Sequence, residues 1–410
     1  MKSITVISIA SAMLFFVACD RFVSVDNGEN EYKPIVLNTR SQQFVRDGQG
    51  FAAEFIQKID SETEKDYIIS PLSMQFLLGM ILDGAKGETA DEICNVLGYG
   101  KGEVKAVNEY CHTMLKALPT LDKQTKLSIA NAIFVDDGWP LRKAYKSDMG
   151  SYYDATIENL DFGDSDNALR RINGWADEKT NGMVPKVLDE VSKDMLAYLL
   201  NALYFKSKWS SVFQKSMSFD RTFTDESGKA KTLKMMRQSG DFRYCETGSF
   251  QALTLPYGNG AYSMTVLLPF SGHKVADICA SLASDGLSFM DNARTEEVDV
   301  WLPRFETKFG IKLNDILSEM GMPRAFDDKL ADFTGMSEYA LCLSFVRQDA
   351  AIKVDEEGTE AAAVSSAGMM KNTSIGPGKT VVFHADHPFL YLITEKSTGA
   401  ILFAGRFASN

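Results

Sequence analysis

The sequence predicts an α+β protein, with helices gathered in its first half and strands in its second. Three observations carry this reading. Apolar residues at helical spacing, with caps, dominate up to about residue 180, interrupted by one strand-like run. From residue 197 onward most apolar runs are short, rich in β-branched and aromatic residues, and strand-like. No strand–helix–strand alternation links the halves, so large antiparallel or mixed sheets are expected rather than a doubly wound parallel one. With 410 residues, 45% of them hydrophobic, the chain can bury a large core.

Each element has its own signal. Phe51, Phe55, Ile56 and Ile59 fall on one helical face, giving a helix over residues 51–59. Ser70 stands before S-P-L-S-M-Q-F-L-L-G's proline and can cap a helix whose first residue is Pro71, where a missing N–H costs nothing. Residues 89–97 read as a short helix stopped by Gly98, and 104–118 as a third. L-S-I-A-N-A-I-F-V (127–135) is a buried strand, and 168–180 is again helical. Strand-like runs then follow at 197–209, 232–236, 242–246, 251–256, 262–269, 297–303, 381–384, 389–394 and 400–407.

The N-terminus is of a different kind. Lys2 precedes an almost wholly apolar or small run over 4–17, and F-V-A-C then places Cys19 directly after Ala18. This reads as a signal peptide (1–18) ending at a lipidated cysteine, as in bacterial lipoproteins, although Phe16 stands where such motifs usually carry Leu. The competing reading is a signal peptide cut nearby, with Cys19 incidental. More than one acyl chain on Cys19 would hold the protein stably to a membrane. Residues 19–38 are polar and aperiodic and are expected to form a lipidated tether, leaving 39–410 as a single domain. The expected location is the bacterial cell envelope, lipid-anchored and exposed.

Composition narrows the function. The net charge of −12 argues against nucleic acid as a partner, and no helix carries the basic cluster that heparin-like polyanions need. Beyond Cys19 there are five cysteines, an odd number with no C-x-x-C, so buried free thiols are expected. The four histidines are His112, His273, His384 and His387. The last two, in H-A-D-H, would point to opposite faces of a strand, so no metal is expected there. S-G-H-K at 271–274 matches S-x-x-K but lacks its companion motifs, and G-x-S-x-G, a P-loop and G-x-G-x-x-G are all missing. No enzyme activity and no cofactor are expected.

One stretch remains, E-E-G-T-E-A-A-A-V-S-S-A-G-M-M at 356–370. Thr359 could cap a helix running through the alanines. Read with period two instead, one face carries Thr359, Ala361, Ala363, Ser365 and Ala367, all small and uncharged, while Glu360 falls on the other with Ala362, Val364 and Ser366. Such a face can slide between existing strands and be buried, where a bulky or charged one would clash or be desolvated. Gly358 would supply the hinge. A flexible surface loop of small residues is the bland alternative.

E-E-G-T-E-A-A-A resembles the hinge of the reactive-centre loop in inhibitory serpins. I-S-P-L-S (69–73), N-A-L-Y-F-K-S-K-W (201–209), L-P-R-F (302–305) with D-F-T-G-M (332–336), H-P-F-L-Y-L-I (387–393) and I-L-F-A-G-R-F (401–407) resemble other serpin segments, in family order across roughly 40–410. The resemblance implies a serpin fold with an exposed reactive-centre loop at about 356–380. It also implies a suicide mechanism. A serine, or also a cysteine, endopeptidase attacks the loop, forms an acyl-enzyme, and is trapped when the cut loop inserts as a strand into the large sheet. The partner is then the target endopeptidase in a covalent complex, with the inhibitor a monomer.

Carried over residue by residue, Glu356, Glu357, Gly358, Thr359, Glu360, Ala361, Ala362 and Ala363 match the hinge. Ser70, Ser73 and Asn201 match the polar cluster that controls sheet opening, and Trp209 the aromatic residue at the top of the seam. Gln348 stands where the family usually has a histidine, which removes that residue's pH sensitivity. The family's spacing puts the reactive bond between Asn372 and Thr373, with Met370 and Lys371 as alternatives. A non-inhibitory serpin-fold binding or carrier protein is the competing expectation.

Overall fold

The computed structural model describes residues 30–193, 195–359 and 380–409. In chain order its elements are α1 (Thr39–Glu62), β1 (Tyr67–Ile69), α2 (Pro71–Gly84), α3 (Gly87–Leu97), α4 (Val104–Ala117), β2 (Lys126–Asp136), α5 (Lys143–Asp148), β3 (Thr156–Leu160), α6 (Ser165–Lys179), β4 (Ala197–Lys208), β5 (Phe219–Thr224), β6 (Ala230–Glu246), β7 (Phe250–Tyr257), β8 (Tyr262–Pro269), α7 (Val275–Asp285), β9 (Arg294–Pro303), β10 (Phe305–Lys312), α8 (Asn314–Glu319), β11 (Val346–Asp355), β12 (Gly358–Thr359), β13 (Val381–His384), β14 (Phe389–Glu395) and β15 (Ile401–Phe407).

The strands form two sheets. One has nine strands in the order β1-β15-β14-β8-β7-β6-β9-β13, with β5 paired to β6. The other has six, in the order β10-β11-β12-β4-β2-β3. Both are mixed, because β9–β13, β2–β3 and β4–β11 pair in parallel. Phe205 of the six-stranded sheet meets Tyr257, Tyr262 and Phe403 of the other edge to face, at centroid distances of 5.3, 5.7 and 6.0 Å. α2 is apolar almost all round and accordingly buried, which fits a helix enclosed by core. α6 lays Ala168, Ile172, Trp175 and Ala176 on the outer face of the six-stranded sheet, against Ala132, Phe134, Tyr198 and Leu200.

Local chemistry explains where elements start and stop. Ser70 caps α2, its Oγ accepting from the Ser73 N–H at 3.3 Å, with Pro71 as the first residue. Gly98 ends α3 in the left-handed conformation. α1 is longer than its apolar spacing suggests, because Asn38 caps it by accepting from the Ser41 N–H at 2.8 Å. The runs 232–236 and 242–246 are two parts of one 17-residue strand, β6. Strands β1, β3, β5, β10 and β11 and helices α5, α7 and α8 also go beyond the expected list. β11 escaped it because its inward positions include Gln348, which breaks the apolar alternation. The five cysteines among the described residues are unpaired, and burial pushes the Cys94 thiol up to about 11 and that of Cys111 to about 12.

Candidate functional site

β4 and β11 are neighbours over only part of their length. They pair in parallel at four positions, Val346–Asp349 against Leu199–Ala202. Beyond these the two strands part, and residues 350–353 and 203–206 are not register partners among the described residues. At the top of the parting the chain turns back after Asp355. Gly358 and Thr359 then pair antiparallel with both strands, Thr359 lying opposite Val354 on β11 and Ser207 on β4. Gly358 and Thr359 thus occupy a strand position between β11 and β4.

This short strand is held by specific groups. Thr359 is fully buried, and its hydroxyl lies 2.6 Å from that of Tyr257. Gly358 passes so close to β4 that a Cβ would lie 2.1 Å from the Ser207 carbonyl oxygen, at φ +153°. Only glycine avoids that backbone contact. Trp209 stacks on Tyr257 at 4.3 Å and donates Nε1–H to the Asp355 carbonyl at 2.9 Å. Its backbone N–H donates to the Glu357 carbonyl at 3.0 Å. Glu356 is 1% exposed, and its carboxylate accepts from Arg304 Nε at 2.8 Å and from the Ser218 hydroxyl. Burial pushes the Glu356 carboxyl up, but Arg304 and Ser218 outweigh it and hold it below the ordinary range. Lys215 pairs with the neighbouring Glu357 at 2.7 Å.

The closed end of the seam carries a buried polar cluster. Gln348 Nε2 donates to Asn201 Oδ1 at 2.9 Å and to the Ser70 carbonyl at 3.0 Å, while its Oε1 accepts from the Ser70 N–H at 2.8 Å. Asn201 Nδ2 donates to the Ser73 hydroxyl and to Asn131 Oδ1, the latter at 2.8 Å. The Ser70 hydroxyl donates to the Leu402 carbonyl. All five side chains are at most 2% exposed. The amide nitrogen of Asn131 has no hydrogen-bond partner.

Of the residues singled out in the sequence, the structure brings Ser70, Ser73, Asn201 and Gln348 together. Trp209 is not part of that cluster. It lies eight residues beyond Asn201, just past the end of β4, roughly 26 Å away at strand rise, with Glu356, Glu357, Gly358 and Thr359. Glu360, Ala361, Ala362, Ala363, Met370, Lys371, Asn372, Thr373 and Cys19 lie outside the described residues. Sequence reasoning missed Asn131, Ser218, Tyr257 and Arg304. The first could have been found as the one amide in the apolar run 127–135; the others are joined to the hinge only by tertiary contact. His384 and His387 have separate partners, Asp299 at 3.2 Å and Asp386 at 3.0 Å.

Comparison with known proteins places this geometry in context. The family model for the serpins, described as serine protease inhibitors, matches residues 47–410. A serpin-like protein of Thermococcus kodakarensis is 34% identical over 340 residues, covering 82% of this chain and 79% of its own. Serpin B6 of Macaca fascicularis is 32% identical over 368 residues, covering 88% and 97%. Among solved structures, the thermophilic serpin tengpin in its native state superposes with a TM-score of 0.83 at 29% identity, over 93% of this chain and 97% of its own. Human thyroxine-binding globulin, at 24% identity and a TM-score of 0.82, covers 90% and 98% and shares the fold.

Proposed function

This chain belongs to the serpin family, and from that premise we propose that it is a suicide inhibitor of endopeptidases. The observation that carries the reading is the seating of Gly358 and Thr359 between β11 and β4, above a stretch where those strands are unpaired. A loop already started as a strand needs only to be cut to continue as one. In the proposed cycle a serine endopeptidase, or a cysteine one, attacks the bond between Asn372 and Thr373. Met370 and Lys371 become the attacked residues if the register shifts. The acyl-enzyme forms, the severed loop zips down the seam, and the protease is dragged away and distorted before its oxyanion hole and triad complete deacylation. The chemistry belongs to the target, so the inhibitor itself is no enzyme. We further propose that Cys19 carries the lipid that holds the monomeric inhibitor in a bacterial cell envelope.

One feature favours a second reading, that of a non-inhibitory carrier. A cleft of about 670 Å³ lies against the nine-stranded sheet, lined by Gln49, Phe242, Thr254, Thr265, Phe289 and Thr394 among others. The deciding experiment mixes residues 20–410 with trypsin, an elastase and subtilisin, followed by denaturing gels and intact mass. Inhibition predicts an SDS-resistant adduct and a released C-terminal peptide whose mass names the bond. Clean cleavage by every protease, with no adduct and no rise in melting temperature, would overturn it in favour of a carrier.

A further inference from the structure

The corner between β13 and β14 places one histidine between two oxygens. Among the described residues, edge strand β13 pairs only with β9, over four positions, and Val382 on it is 57% exposed. The chain then crosses to β14 through residues 385–388. Ala385 donates its N–H to the Trp301 carbonyl, and the Asp386 carbonyl accepts from the Thr224 N–H, both at 2.9 Å. Toward β8 the main chain runs out of donors. β14 and β8 pair Leu390 with Leu267, and two residues further the same register puts Pro388 opposite Pro269, with no N–H to give. His387 supplies a bond there instead. Its Nε2 lies 2.9 Å from the Pro269 carbonyl oxygen, while its Nδ1 lies 3.0 Å from Asp386 Oδ1.

Both ring nitrogens thus face oxygens that can only accept, a carbonyl and a carboxylate. A neutral imidazole carries one N–H and satisfies one of them; an imidazolium satisfies both. We propose that His387 is a proton-operated latch on this corner. As imidazolium it joins the β13–β14 connection to the end of β8. On losing a proton to water it keeps the bond to the carboxylate of Asp386, drops the one to Pro269, and lets β13 loosen from β9. The latch uses none of the residues of the seam between β4 and β11 and stands whether or not the chain traps proteases.

The surrounding groups favour the proton. Asp386 is held below the ordinary carboxyl range, chiefly by its bond to His387, so it stays an acceptor. His384 also acts on that carboxylate, but its ring is turned to β9, stacked on Trp301 at 3.4 Å and 3.2 Å from Asp299, which Arg237 pairs at 2.9 Å. β8 contributes the Pro269 carbonyl and β5 the Thr224 backbone, neither of them charged. Burial disfavours the charged ring, yet Asp386 and Pro269 together outweigh it and raise His387 above its ordinary 6.5. A raised histidine contributes fully below its unfolded value, and the contribution is lost as pH rises through the folded value. The latch is therefore closed at and below pH 6.5 and opens above it.

The test uses the full chain, with His387→Gln and Asp386→Asn. Between about pH 5.5 and 9 it reads the imidazole midpoint of His387 by NMR, the melting temperature, and hydrogen exchange of the β13 amides corrected for intrinsic pH dependence. The His387 signal is identified by its loss in His387→Gln or, should that variant not fold, by its displacement in Asp386→Asn. The wild-type midpoint is expected above 6.5 and about one unit lower in Asp386→Asn. Below pH 6.5 the wild type should melt a few degrees above His387→Gln, a modest gap because the His387 side chain is 38% exposed, and the gap should close as pH rises through the midpoint. Exchange in β13 should rise about fivefold or more across the midpoint in the wild type and stay at the higher level throughout in His387→Gln. A midpoint at or below 6.5, or melting curves parallel in pH, would overturn the latch. A raised midpoint with level β13 exchange would overturn its hold on the strand.

Discussion

The two sheets of this molecule part in different ways. In the nine-stranded sheet β6 and β9 pair over ten residues and β7 and β8 over eight, while β6 and β7 pair over four beside the turn that joins them. In the six-stranded sheet β4 pairs with β2 over ten residues, but with β11 over only four, and the remaining space at the top holds a two-residue strand. A sheet interior normally satisfies its backbone groups by pairing along the whole strand. The six-stranded sheet departs from that rule at one seam, and its ends are fastened differently. The top is fastened by aromatic stacking and an ion pair, the bottom by a network of uncharged amides and hydroxyls. Charge at the top anchors the hinge where it is, whereas neutral groups at the bottom can part and re-form without stranding an ion in the core.

The largest effect in breaking that contrast is expected at Thr359, which is fully buried against Tyr257. Thr359→Arg would bring an unpaired guanidinium into the core at a cost of several kcal/mol. The short strand should then be expelled, and the loop cut faster than it inserts. SDS-resistant adduct should fall at least about tenfold while cleavage continues. Full trapping by this variant would mean that the loop does not enter the seam.

A smaller effect separates the top of the seam from the bottom. Arg304→Ala leaves the Glu356 carboxylate buried with Ser218 as its remaining side-chain donor. Because the Arg304 side chain is 42% exposed, solvent screening brings the cost down to about 1–3 kcal/mol, read as a lower urea midpoint. The sign with pH follows from the lowered pKa of Glu356. A depressed carboxyl contributes stability above its ordinary value of 4.5 and loses it as pH falls through the folded value. The gap between wild type and variant should therefore be widest near neutrality and close in acid. A gap that widens in acid would assign the ion pair no stabilising role.

The contrast also explains what could be read from the sequence. The strands of the six-stranded sheet that carry apolar runs, such as 127–135 and 197–209, were legible because burial leaves a nearly continuous hydrophobic signature. β11 was not, since it places Gln348 and Asp349 mid-strand, and alternation fails where a buried amide does structural duty. The seam's amides therefore hide the strand that bears them. Ser70 announced itself through the proline that follows it, whereas Arg304 and Ser218 lie 52 and 138 residues from Glu356 with no local pattern to join them. The inward face of Thr359 was legible because alternation is a local property. That Thr359 would lie opposite Val354 and Ser207 was not, because register is set by pairing between distant strands.

The smallest expected effect sharpens the neutral end of the comparison. Gln348 accepts from the Ser70 N–H and donates to Asn201 Oδ1, and a neutral imidazole could do both with one nitrogen each. Gln348→His should therefore fold. The site is 1% exposed, and the side chains bonded to Gln348 are uncharged, so burial should depress the new histidine's pKa below about 6.5. A histidine depressed in the folded state contributes fully above its unfolded value and costs stability as pH falls below it. The variant should match wild type near pH 8 and lose up to about 1.4 kcal/mol per pH unit below about 6.5, seen as a melting temperature that falls more steeply than the wild type's. Parallel curves for the two proteins would mean that the cluster is open enough to water for a charge to sit there without penalty. The neutral amides would then have no bearing on how the seam parts.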